Sequence, residues 1–114
     1  MAVRPLKIDQ AQFGAKVGRH MVEYGRNPGS ASDRDWMWNY ILDIYQNAAQ
    51  FRDGTFSGQG GITPSGAHAR GPVWFYAKGA DVVITDKADN FITLLKGGVN
   101  STSFLRAAIL PRRP

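Results

Sequence analysis

Pro72-Val-Trp-Phe-Tyr-Ala-Lys78-Gly-Ala-Asp81-Val-Val-Ile-Thr85-Asp86-Lys-Ala-Asp-Asn90-Phe91-Ile-Thr-Leu-Leu-Lys96 is the stretch that decides the fold. Three runs, 72–78, 82–85 and 91–96, are rich in aromatic and β-branched residues, which fit a pleated, half-buried surface. Lys78-Gly79-Ala80-Asp81 and 86–90 separate them as short polar turns. Connections this short join antiparallel neighbours, so the stretch predicts a three-stranded meander. Thr55-Phe56-Ser57 reads as a short strand before it. Gly58–Gly71, a glycine-, serine- and proline-containing segment holding His68 and Arg70, reads as a long loop.

Upstream the period changes. Pro5 argues for an extended lead-in. From Ile8 to Tyr24 the pattern turns helical, with Phe13, Val17, His20 and Tyr24 on one face. Lys16 borders that face one turn before His20. Gly25-Arg26-Asn27-Pro28-Gly29 ends the helix. A second helix starts near Ser32, which with Asp35 approximates a capping box, and runs toward Gln50. Trp36 or Met37, Tyr40 and Ile41, Ile44 and Tyr45, and Ala48 form its apolar side, and its aromatics read as core packing. Downstream, Gly97-Gly98 closes the meander. Ser101 or Thr102 caps a short last helix through Ala108, and Pro111-Arg-Arg-Pro114 is a basic tail. Helices followed by strands mean an α+β fold, with helices on one face of a small antiparallel sheet.

Length and composition bound the rest. The 114 residues suit a single domain, 1–114, long enough to bury a core without staples. The longest apolar runs, such as 72–77, are far shorter than a membrane span of about 20 residues, so no membrane span is expected. Residues 1–10 hold no apolar signal core. With no cysteine, disulfide frameworks, thiol catalysis and cysteine zinc sites fall away. Two histidines, His20 and His68, cannot form a histidine triad, and Glu23 is the one glutamate among nine acids, so no metal site and no cofactor are expected. Gly58-Gln-Gly-Gly61 lacks the lysine and following helix of a phosphate loop. The net charge of +5 and pI of about 9.9 point to a polyanionic partner, most often nucleic acid.

Several strings taken together resemble a known family. Phe13-Gly-Ala-Lys16-Val-Gly-Arg19-His20-Met-Val-Glu-Tyr24-Gly25 resembles the Lys-x-x-His-x-x-x-Phe/Tyr-Gly stretch of bacterial ribonuclease toxin domains. Val73–Thr85 and Asn90–Lys96 look like the sheet of the same domains, which form the C-terminal tips of contact-dependent growth inhibition proteins and related polymorphic toxins. Their layout is colicin D-like, in the barnase/EndoU/colicin/RelE fold group. The resemblance spans about Ile8 to Ala108. It implies a metal-independent ribonuclease, with tRNA the expected substrate. It also implies an acidic cognate immunity protein, bound to a toxin monomer. The domain would be secreted as the tip of a larger bacterial protein and act in the target-cell cytoplasm.

Carried over by residue, His20 matches the helix histidine that acts as acid or base. Either Lys16 or Arg19 matches its cation, Thr93 a strand hydroxyl near the scissile phosphate, and Lys96 a basic residue at the strand end. Leu95 stands where colicin D-like domains carry a tryptophan. Arg52, Thr55, His68, Arg70 and Ser101 are the further candidates for RNA contact.

The residues themselves allow this chemistry. Metal-free RNA cleavage uses the RNA's own 2′-hydroxyl as nucleophile. It needs a base for that proton, an acid for the leaving oxygen and cations for the phosphoryl charge. Histidine is the natural proton-transfer group near neutral pH. The plainer reading of His20, between Val17 and Tyr24, is a satisfied core histidine. That of His68 is a solvated loop residue, and that of Thr93 a strand residue sharing a face with Phe91 and Leu95. The alternative functions are a non-catalytic RNA- or DNA-binding module stacking bases on Trp74 and Tyr76, or a toxin with a non-RNA target.

Overall fold

A computed structural model describes residues 5–8, 17–18, 20–62 and 68–114. A first helix, α1, is described at residues 17, 18 and 20–23. It is followed by α2 (Ala31–Gln46), β1 (Gln50–Ile62), β2 (His68–Lys78), β3 (Asp81–Asp86) and β4 (Phe91–Leu95). A 3₁₀ turn (Gly98–Asn100), α3 (Thr102–Arg106) and β5 (Ala108–Leu110) complete the order. The five strands form one antiparallel sheet in the order β4-β3-β2-β1-β5, so the architecture is α+β. The expected meander, β2 to β4, makes up one side of it, with β4 at the edge.

α2 starts two residues earlier than the Ser32/Asp35 pattern predicts. Ser30 is the N-cap, and its Oγ accepts from the Asp33 backbone N–H at 3.3 Å. Asp33 instead turns back to accept from the Asn27 N–H at 2.8 Å, tying the incoming loop to the helix start. The helix stops at Gln46, short of Gln50, because Ala49 donates its N–H to Ala77 and joins the sheet.

β1 is the largest departure from expectation. It runs 13 residues and continues through Gly58–Ile62, which read as loop. Its partner β2 begins at His68, so most of the expected 58–71 loop is a long hairpin arm. The register runs from Gln50↔Ala77 to Phe56↔Gly71, then shifts to Gly60↔Ala69 and Ile62↔His68. Glycine and serine carry no strand signal of their own, and the pairing of backbone groups across the hairpin supplies the order instead.

Both faces of the sheet are covered. On one, Val17 and Met21 of α1 and Met37, Ile41, Ile44 and Tyr45 of α2 pack on Tyr76, Val83, Phe91 and Leu94. On the other, Phe104 and Ala107 cover Phe75, Val82, Ile84 and Ile92. The expectation of helices on one face alone is thus corrected by α3. Two-sided burial explains why 82–84 reads as an unbroken apolar run rather than an alternation.

The end of the chain also departs from expectation. The last helix ends at Arg106, and 108–110 form an edge strand paired Phe51↔Leu110. The basic tail is held down. Arg113 donates to the Tyr45 carbonyl and lies 5.1, 5.1 and 5.3 Å from the Tyr45, Phe51 and Tyr76 rings. At the opposite edge, Lys7 bridges to Asn90 in parallel, accepting from Phe91 N–H at 2.7 Å. No described helix is long and apolar enough to cross a membrane.

Candidate active site

α1 buries Val17 and Met21 completely, four residues apart. His20 and Tyr24 lie beside that stripe, half-buried rather than in the core. The core-histidine reading of His20 therefore does not describe its surroundings. The helix ends in a Schellman motif, with Arg26 N–H bonded to the Met21 carbonyl at 2.9 Å and Gly25 N–H to Val22 at 3.0 Å. Gly25 takes the left-handed φ of 71° that this closure needs. The sequence pattern at 25–29 thus does more than stop the helix, because Arg26 at its close reaches the Trp36 ring and Asp33 of α2.

Thr93 reaches the same place from β4. Ile84 pairs with Thr93, but Thr85 pairs with Phe91, so Ile92 is an extra residue on the edge strand. Such a bulge re-aims nearby side chains. Accordingly Phe91 and Leu94, three apart, both join the helix-side core, whereas Leu95 packs with the opposite cluster. The alternation that grouped Thr93 with Phe91 fails at this bulge, whereas Thr93 and Leu95 remain two apart in regular register.

Thr93 Oγ1 lies 3.3 Å from His20 Nε2, and Glu23 Oε1 lies 2.7 Å from His20 Nδ1. A carboxylate at Nδ1 accepts that nitrogen's N–H, and Nε2 faces Thr93. About a fifth of the His20 side chain is exposed (21%), so the ring is positioned yet reachable. Lys96 Nζ donates to the Glu23 carbonyl at 2.8 Å and sits 5.3 Å from the Tyr24 ring. It thereby caps the negative end of α1 with a cation. The structure thus brings His20, Thr93 and Lys96 together, with Glu23 as the orienting group.

Beneath this row lies a polar anchor that the sequence did not disclose. Asp81 is 8% exposed. Its Oδ2 accepts from the Tyr24 hydroxyl at 2.6 Å and from the Tyr40 hydroxyl, while Oδ1 accepts from Gly97 N–H at 2.9 Å. Gly97 holds a left-handed φ of 67° to present that N–H. Burial pushes the Asp81 carboxyl up, but the three hydrogen bonds prevail and hold it below the usual carboxylate range. Burial, then the Asp81 carboxylate, pushes the Tyr24 hydroxyl far up and that of Tyr40 to about 12. Both phenols therefore stay protonated donors. A turn aspartate looks solvated in sequence, and only the 16-residue separation of Asp81 from Gly97 closed in space reveals otherwise.

The tyrosines continue into an aromatic group. Tyr24 and Tyr40 centroids are 5.1 Å apart, and Trp36 stacks on Tyr40 at 5.1 Å and 11°. The Arg26 guanidinium carbon sits 4.0 Å from the Trp36 ring centre. These residues read as core packing in sequence, and they do pack against the helix-side core, with Trp36 and Tyr40 half-buried at its margin.

The other candidates are placed elsewhere. Lys16 and Arg19 lie outside the described residues. Arg52 donates to the Phe104 carbonyl at 2.9 Å and lies over the Phe104 ring, on the α3 side of the sheet. Ser101 is the N-cap of α3, accepting from Phe104 N–H at 3.3 Å. Thr55, opposite Pro72 on β1, is three strands from β4, or about 14 Å at ordinary strand spacing. His68 and Arg70 sit on the hairpin arm at the start of β2. The proposed stacking pair also changes: Tyr76 is wholly buried and cannot stack on a base. Among the described residues no three His, Asp or Glu side chains converge as a metal set. The chain matches no protein-family model, no curated protein and no solved structure.

Proposed function

We propose that this domain is a metal-independent endoribonuclease toxin, with tRNA as its expected target. The observation that carries the reading is the His20 imidazole held between Glu23 and Thr93, with the Lys96 ammonium beside it on a domain of net charge +5. His20 Nε2 takes the proton of a ribose 2′-hydroxyl, and the freed oxygen attacks the adjacent phosphorus. Glu23 stabilises the imidazolium that results. Lys96 and the Thr93 hydroxyl face the phosphoryl oxygens, whose charge grows in the transition state. The 5′-oxygen leaves, and the product carries a 2′,3′-cyclic phosphate. His68 and Arg70 on the hairpin arm are the candidates for protonating that oxygen or clamping the phosphate. Lys16 and Arg19 are the further candidate cations.

A nuclease of this kind needs an inhibitor in the cell that makes it. An acidic immunity protein covering the His20–Lys96 edge is the expected partner. Delivery as the tip of a larger secreted protein belongs to the same reading.

The test is total cellular RNA on a denaturing gel after induced expression, wild type beside His20→Ala. Discrete tRNA fragments in the wild-type lane alone, ending in 2′,3′-cyclic phosphate and persisting in EDTA, are expected. Intact RNA in both lanes despite growth arrest would discard the nuclease reading.

A further inference from the structure

We propose that Trp36 and Arg26 form a nucleobase subsite next to the reacting phosphate, a reading that rests on the proposed nuclease function. Four observations carry it. First, Tyr24 follows His20 by four residues at the C-terminal end of α1, with Lys96 Nζ 5.3 Å from its ring. Second, Tyr24 touches both members of the next row, with ring centroids 6.0 Å from Trp36 and 5.1 Å from Tyr40. A continuous strip thus leads from Thr93 and His20 past Lys96 and Tyr24 to Trp36.

Third, the tyrosines and the indole are held in place. The Tyr24 and Tyr40 hydroxyls are fixed to one oxygen of the buried Asp81, and Trp36 stacks nearly parallel on Tyr40. A platform that is already ordered loses little freedom when a ligand stacks on it. Fourth, the cover of Trp36 is a guanidinium rather than a hydrocarbon. Arg26 lies over the ring at 4.0 Å, 35% of its side chain is exposed, and its tie to Asp33 is a long 3.4 Å. An exposed cation–π contact is weaker than stacking of a base on an aromatic ring. A base therefore displaces the guanidinium from the indole, and Arg26, anchored by the Schellman turn, closes on its outer face or on the neighbouring phosphate. Because the base must leave any helix to enter, the subsite takes an unpaired nucleotide. Stacking reads a π-face, so it favours purines over pyrimidines by surface and not by hydrogen bonds.

The test uses single-stranded DNA, which lacks the 2′-hydroxyl and is not cut. Fluorescein-labelled pentaadenylate and a matching pentamer of abasic residues are titrated by anisotropy against the wild type, Trp36→Ala, Trp36→Phe and Arg26→Gln. Trp36→Ala is expected to weaken pentaadenylate binding about 5- to 150-fold while leaving the abasic pentamer unchanged. Trp36→Phe keeps most of the affinity, which separates stacking from loss of fold, and Arg26→Gln weakens both probes. Equal weakening of both probes by Trp36→Ala, or no weakening of either, would overturn the subsite and leave the nuclease reading standing. Wild-type binding of pentaadenylate with the expected variant pattern, but no cleavage of RNA, would keep the subsite and remove the nuclease. Failure of the wild type to bind pentaadenylate more tightly than the abasic pentamer would also overturn the subsite.

Discussion

Asp81 supports the site from below, through the two tyrosines it holds. Its buried carboxylate takes three donors from three separate segments, the turn that ends α1, α2 and the Gly97 turn. Asp81→Asn keeps the shape but replaces one oxygen by a donor, so at least one of these donors loses its acceptor. The expected cost is about 2–3 kcal/mol, read from urea unfolding at neutral pH. Its pH dependence has a sign. The folded-state carboxyl lies below its ordinary value, so its stabilisation is present above about pH 4 and is lost as pH falls through the folded value. Tyr24 and Tyr40 shift upward, so their contribution is present below about pH 10 and is lost as pH rises through the folded values. Wild-type stability should therefore fall at both limits, and Asp81→Asn should flatten the acid limb. An unchanged acid limb in the variant would count against this account.

At the scale of elements, α2 shows how neighbouring serines divide their roles. Ser30 caps the helix, and Ser32, whose Oγ lies 3.1 Å from Ser30 Oγ, does not. Ser30→Ala should cost about 1 kcal/mol of unfolding free energy, and Ser32→Ala within about 0.5 kcal/mol. The reverse order would restore the cap to the capping-box position. The consequence reaches the site, because Trp36 and Tyr40 stand on the first three turns of this helix. β4 makes the same point for strands, since its extra residue, Ile92, lies beside Thr93 on an edge strand that meets α1.

For the whole molecule, charge and layering set the behaviour. Binding of single-stranded nucleic acid by a domain of net charge +5 should weaken as salt rises. Each phosphate contacted costs a factor of about 2.5 in affinity between 50 and 200 mM salt. A titration of pentaadenylate over that range counts the contacts, and a flat response would refute an electrostatic interface. The sheet is a wall between two cores, and the His20 row lies at its β4 edge, where α1 meets it, while Arg52 and Ser101 serve the α3 side. Residues that share charge or hydroxyl chemistry in sequence are thus divided by the sheet into catalytic candidates and structural ties.

Sequence alone determined the elements whose signal is local. Runs of β-branched and aromatic residues marked β2, β3 and β4, apolar spacing marked α1 and α2, and Gly25 marked the end of α1. The α+β class follows from their order. His20, Thr93 and Lys96 could be singled out as chemically able groups, but their meeting could not be read, because Thr93 and Lys96 lie more than seventy residues from α1. Tertiary structure alone decided four things. These are the pairing that orders the glycine-rich hairpin arm, the edge strand β5, the bulge beside Thr93 and the burial of Asp81 under two tyrosines. The physical reason is common to all four. Each depends on hydrogen bonds between backbone or side-chain groups far apart in the chain, and such bonds leave no periodic trace in either partner's own neighbourhood.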